Sequence, residues 1–69
     1  MKERLKVLMT CLAQRHYSIN IIQRSILLPT QVENTAEVLE EVIQAVQTTQ
    51  TELQLQEAIV KIERKYLKN

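Results

Sequence analysis

Glycine is absent from all 69 residues, and proline occurs once, at Pro29. Glycine supplies most of the positive-φ positions that tight hairpins, bulges and phosphate-cradling loops require. Its absence argues against a β-rich fold, a glycine-rich nucleotide loop and most loop-built catalytic scaffolds. Phenylalanine and tryptophan are also missing, leaving Tyr17 and Tyr66 as the aromatics. Without large aromatic faces there is no stacking platform for single-stranded nucleic acid or sugars. One cysteine, Cys11, excludes an internal disulfide, and one histidine, His16, argues against a structural zinc site. No cofactor, metal or small-molecule substrate is expected.

Long apolar runs are lacking too. None exceeds three residues, as at Ile26-Leu27-Leu28, whereas a bilayer-spanning helix needs about 20. Charges are spread through residues 1–13, with no small-residue cleavage site after them, so the start does not read as a secretory signal. A free cysteine without a signal suits a reducing compartment, and the expected location is cytoplasmic.

What the chain does contain is Leu, Ile and Val, which make up most of its 45% hydrophobic content. A single domain over residues 1–69 is expected. A core this small is marginal without disulfides or metal, which leaves tight helix packing or oligomerisation as the route to stability.

Charge is segregated. Residues 1–24 carry Lys2, Arg4, Lys6, Arg15 and Arg24 against Glu3, a net +4. Residues 25–60 carry Glu33, Glu37, Glu40, Glu41, Glu52 and Glu57 with no basic residue, a net −6. Residues 61–69 carry Lys61, Arg64, Lys65 and Lys68 against Glu63, a net +3. An acidic middle between basic ends constrains topology more than it identifies a partner.

Leu5, Leu8, Met9, Leu12, His16, Ile19, Ile22 and Ile26 recur at spacings of three and four, one helical stripe. The spacing predicts a first helix from about Lys2 to Leu27, kinked if anywhere near Ser18. The alternative is a second short helix capped by Ser18, with Tyr17 and Ile22 as a hydrophobic staple. The unbroken phase of the stripe favours one helix. Pro29 should end it and push Leu28 away from helical geometry.

The restart is marked by capping-box spacings at Thr30 with Glu33 and at Asn34 with Glu37. Leu39, Val42, Ile43 and Val46 then form the buried stripe of a second helix. The link Gln47-Thr48-Thr49-Gln50-Thr51 is ambiguous, being polar but free of glycine and proline. A fold-back near 49–50, with Thr49 and Glu52 as a capping pair, lays the acidic 33–41 stretch beside Lys61, Arg64 and Lys65. A continuous helix over 31–67 would hold those charges on the order of 40 Å apart. Charge therefore favours the turn. The last helix, about 51–67, shows two apolar stripes: Leu53, Val60 and Leu67, and nearly opposite them Leu55, Ile59, Ile62 and Tyr66. No internal repeat is visible.

Cys11 and His16 could suggest a nucleophile and base, but on one helix they point about 140° apart, too divergent for an activated pair. Glu37 and Glu41 share a face, yet the further carboxylates and histidine of a helical di-metal site are missing. No catalytic or metal-binding residue is assigned, and the chain is expected not to be an enzyme. Lys2, Arg4 and Lys6, with the stripe Lys61, Arg64, Lys65 and Lys68, could contact phosphates. The acidic middle nearly cancels them, so nucleic-acid binding is the secondary reading. The segment Ile19, Ile21, Ile22, Ile26, Leu27 and Leu28 is apolar nearly all round, and Ile21 and Leu28 point away from the main stripe. A helix apolar on every side should be buried on every side, so this segment is the candidate partner-binding surface.

The expected fold is therefore all-α: a small antiparallel three-helix arrangement, or a long helical hairpin if the Thr-rich link stays helical, oligomeric through its surplus apolar faces. The expected role is a non-enzymatic protein–protein interaction module, such as a small regulator, inhibitor or chaperone-like adaptor, in a homodimer or with a protein partner. A small dimeric DNA-binding regulator using the basic termini is the alternative.

Overall fold

The long first stripe is cut at His16, whose backbone enters the left-handed region at φ 56°. Histidine is among the non-glycine residues that adopt this region more readily, and here it reverses the chain without a glycine. The computed structural model describes residues 2–67, the Lys2 side chain excepted, and among them every regular element is helical. In chain order these are α1 (Lys2–Arg15), α2 (Ile19–Leu27), a 3₁₀ helix (Leu28–Gln31), α3 (Thr35–Thr48) and α4 (Glu52–Tyr66). The all-α expectation holds. The single helix over 2–27 does not, and four α-helices replace the expected three.

Ser18 is the N-cap of α2, in extended geometry. Its hydroxyl does not cap its own helix. Instead the Ser18 N–H and hydroxyl donate to the Glu52 carboxylate at 2.6 and 3.1 Å, tying the start of α2 to the start of α4. Tyr17 and Ile22, the staple pair, are both half-buried against the core. The Tyr17 hydroxyl is buried with no hydrogen-bond partner among the described residues. An unpaired buried donor costs about 1–3 kcal/mol, so Tyr17→Phe should leave stability unchanged or raise it in urea unfolding. A clear loss would show that the hydroxyl is bonded.

Leu28 keeps right-handed helical geometry and donates its N–H to the Arg24 carbonyl, contrary to the expected effect of Pro29. The tighter 3₁₀ turn accepts proline in its first turn, where no N–H is required. Asn34 then caps α3 by position, without a side-chain cap bond.

The polar link does turn. Thr51, two residues beyond the expected Thr49, is the N-cap of α4 and accepts from Gln54 N–H at 3.2 Å. Gln54 Oε1 accepts from Gln50 N–H at 2.8 Å, and the Thr49 hydroxyl donates to the Ala45 carbonyl at 2.6 Å. Side-chain oxygens thus close a turn that glycine usually closes. The fold-back brings Lys65 Nζ within 3.6 Å of Glu41, and the Tyr66 hydroxyl donates to Glu41. Of the three basic residues expected beside the acidic stretch, Lys65 meets it, whereas Lys61 and Arg64 make no ion pair with it among the described residues.

Contacts fix the directions. Arg4 pairs with Glu40, and Arg15 donates to the carbonyls of Gln47 and Thr49, so α1 and α3 run parallel. Ser18 meets Glu52 and Arg24 meets Glu63, so α2 and α4 also run parallel. The molecule is two helical hairpins, α1–α2 and α3–α4, stacked side by side.

This arrangement contains a repeat. Leu8 and Val42, Leu12 and Val46, Ile21 and Leu55, Ser25 and Ile59, and Leu28 and Ile62 are pairs 34 residues apart in which both members are buried. The repeat is of position, not of residue type, and so escapes the sequence. Stacked helix pairs of this kind bury a continuous core between neighbouring units. Buried Ser25, which stands where Ile59 stands in the second hairpin, satisfies its hydroxyl on the Ile21 carbonyl at 2.8 Å.

Candidate functional site: an outward aliphatic face on two parallel helices

The break at His16 changes the phase of everything after it. In α2 the buried set is Ile21, Ser25 and, just beyond it, Leu28. Ile21 and Leu28 are only 5% and 1% exposed and belong to the chain's own core. Their assignment to an intermolecular surface is corrected: they form the inward side of α2, and the outward side is marked by Ile19 and Leu27. Ile19 and Leu27 are 64% and 52% exposed, while Ile22 and Ile26 are half-buried.

Helix α4 repeats the pattern. Leu55, Ile59 and Ile62 face the core, while Leu53 is 65% exposed and Val60 is half-buried. Leu53 and Val60 stand 34 residues beyond Ile19 and Ile26. The two hairpins therefore present equivalent outward aliphatic positions on parallel helices. Leu67, third member of the α4 outer stripe in sequence, instead packs against the core from the C-cap position. A shallow open groove of about 250 Å³ follows the outer face of α4, lined by Leu53, Gln56, Glu57, Val60, Lys61 and Arg64. Leu53 and Val60 carry a sequence signal, the doubled stripe of the last helix, but no ordinary monomeric role.

Four of the seven basic residues whose side chains are described, Arg4, Arg15, Arg24 and Lys65, are committed within the chain. Arg4 donates from Nε and Nη2 to Glu40 at 2.5 and 2.6 Å. This bond, with the attraction of opposite charges, raises the pKa of Arg4 and holds the Glu40 carboxyl below the usual glutamate range. Arg24 makes the same two-pronged contact with partly buried Glu63, and its hydrogen bond to that carboxylate raises its pKa. Arg15 Nη1 and Nη2 reach the Thr49 and Gln47 carbonyls at 3.1 and 3.2 Å, placing a cation at the negative end of α3. Lys65 lies beside Glu41, which raises its pKa, and its ammonium stands 5.2 Å from the Tyr66 ring centroid. The hydrogen bond to Glu41 also raises the pKa of the Tyr66 hydroxyl.

Of the residues suggested for phosphate contact, Arg4 and Lys65 are thus drawn into ion pairs. Lys6 is exposed on α1, and Lys61 and Arg64 border the α4 groove. The Lys2 side chain and Lys68 lie outside the described residues. Arg4 and Lys65, one from each basic end, converge on adjacent Glu40 and Glu41 of α3.

Cys11 is half-buried between α1 and α3, with Gln47 Nε2 3.9 Å from its sulfur. His16 lies beyond the end of α1 and is exposed. Among the described residues no group of three His, Cys, Asp or Glu side chains is placed to hold a metal ion, and no helix is long and apolar enough to cross a membrane. Comparison with known proteins returned no matching family model, no matching curated protein and no matching solved structure.

Proposed function

We propose that the chain is a non-enzymatic protein–protein interaction module of the small regulator, inhibitor or adaptor kind, acting through its outward aliphatic face. The observation that carries this is the equal exposure of Ile19 and Leu53, 64% and 65%, at equivalent places on parallel α2 and α4. Covering one such side chain contributes about 1.5–3 kcal/mol, so a few together supply the anchor of an interface. Leu27, Ile22, Ile26 and Val60 extend the face, and Glu57, Lys61 and Arg64 give it a charged border that sets orientation.

The intramolecular pairing of Arg4, Arg24 and Lys65 weighs against the DNA-binding alternative. The test compares protein capture by the wild-type chain and by an Ile19→Glu/Leu53→Glu variant of matched helical content. Capture should fall sharply in the variant. Undiminished capture, or tight duplex-DNA binding with a steep salt dependence, would overturn the reading.

A further inference from the structure

We infer that the partner on the α4 face is a second copy of this chain, docked with the two α4 helices antiparallel. This rests on the interaction-module reading and names the occupant of its surface. Leu53 and Val60 are seven residues apart, the spacing of a helix–helix seam. Glu57 and Arg64 each follow a seam residue by four positions, so they lie on the same flank of the groove. Both are exposed, and neither takes part in an ion pair among the described residues. They differ in this from Glu40, Glu41 and Glu63, which are paired internally.

Symmetry turns that arrangement into a self-complementary one. A two-fold axis near Val60 sets Val60 against its own copy and places Leu53 towards each end of the seam. The same operation brings Glu57 opposite the partner's Arg64, and the two-fold repeats the contact in reverse. Two ion pairs then border one aliphatic strip. In a parallel pairing the flank position of Glu57 would instead meet Glu52 of the second copy, like against like. Glu52 is already engaged by Ser18 on its own chain. Charge thus selects the antiparallel orientation. Gln56, also in the groove lining, is uncharged and compatible with the seam. Leu27 and Ile19 on neighbouring α2 add apolar surface beside it.

The test is a charge-swap cycle read by sedimentation equilibrium, with circular dichroism confirming the fold of each variant. The wild-type chain should show a concentration-dependent monomer–dimer equilibrium. Glu57→Arg and Arg64→Glu should each weaken the dimer by about tenfold. Combining them should restore affinity to near the wild-type value, because the pair is only reversed. A monomeric wild-type chain, or a double variant as weak as the sum of the two single changes, overturns the antiparallel dimer. The interaction-module reading is separately accessible: if the chain is monomeric but Leu53→Glu still abolishes capture of another protein, the dimer fails and the module stands. If Leu53→Glu changes neither association nor capture, both fail.

Discussion

Ile21→Glu should unfold the isolated chain, while Ile19→Glu, two residues earlier on the same helix, should leave it folded. Ile21 is 5% exposed and packs in the same core as Leu55 and Leu28. The change removes an aliphatic contribution of about 1.5–3 kcal/mol and puts a carboxylate into that aliphatic core. A group in that position must either draw water into the core or become protonated, each at a further cost. Domains of this length have only a few kcal/mol of stability to lose. Ile19 projects into solvent, so a carboxylate there meets water and the positive end of the α2 dipole. Far-ultraviolet circular dichroism with urea titration separates the two outcomes. If Ile21→Glu keeps its helical signal and melts like the wild type, the placement of α2 is wrong.

That pair of variants also marks where the sequence misleads. The stripe over residues 5–26 recurs every three or four positions, and the spacing does not betray a break, although its one polar member, His16, stands where the break falls. His16 takes a left-handed conformation that glycine would have announced. Once the chain reverses there, the helix restarts in a new phase, and the buried set of α2 becomes Ile21, Ser25 and, just beyond it, Leu28. A buried serine within that set hides the phase further. Its hydroxyl is satisfied inside the helix, so it tolerates a position that pattern reading gives to an aliphatic residue. The same substitution of polar for apolar hides the positional repeat, since Ser25 and Ile59 share a place but no chemistry.

Other parts were legible because a physical constraint acted alone. The fold-back at 49–51 follows from charge: the acidic start of α3 needs the basic end of α4, and Glu41 does meet Lys65 and Tyr66. The start of α3 was legible from Asn34 with Glu37 three residues on, although Asn34 caps by position alone, whereas Pro29 did not stop the helical run. Both stripes of α4 were evident from spacing, and the inward one is the buried one. The outward one gained its meaning only when Ile19 and Ile26 were placed at equivalent positions on the neighbouring helix. Most basic residues could not be apportioned between ligand contact and ion pairing from sequence, because pairing depends on which helices run parallel.

Adjacent residues on α4 give the second large contrast. Ile59 is fully buried, and Val60 beside it faces the outer groove. Ile59→Ala removes three carbons from a closed core and leaves a cavity that stacked helices cannot readily collapse. Such changes cost about 2–5 kcal/mol, enough to lower the urea midpoint steeply in a domain of this size. Val60→Ala removes two carbons from a half-exposed site, so its effect on the isolated subunit should stay below about 1 kcal/mol. Its effect on association should be the larger one, because Val60 lies at the centre of the inferred seam. Urea unfolding at low protein concentration isolates the subunit term, and sedimentation at high concentration isolates the association term. Ile59→Ala should move the first far more than the second. Val60→Ala should do the reverse. If Val60→Ala instead destabilises the dilute subunit as much as Ile59→Ala does, α4 buries its outer stripe within its own chain, and the outward face assigned to it does not exist.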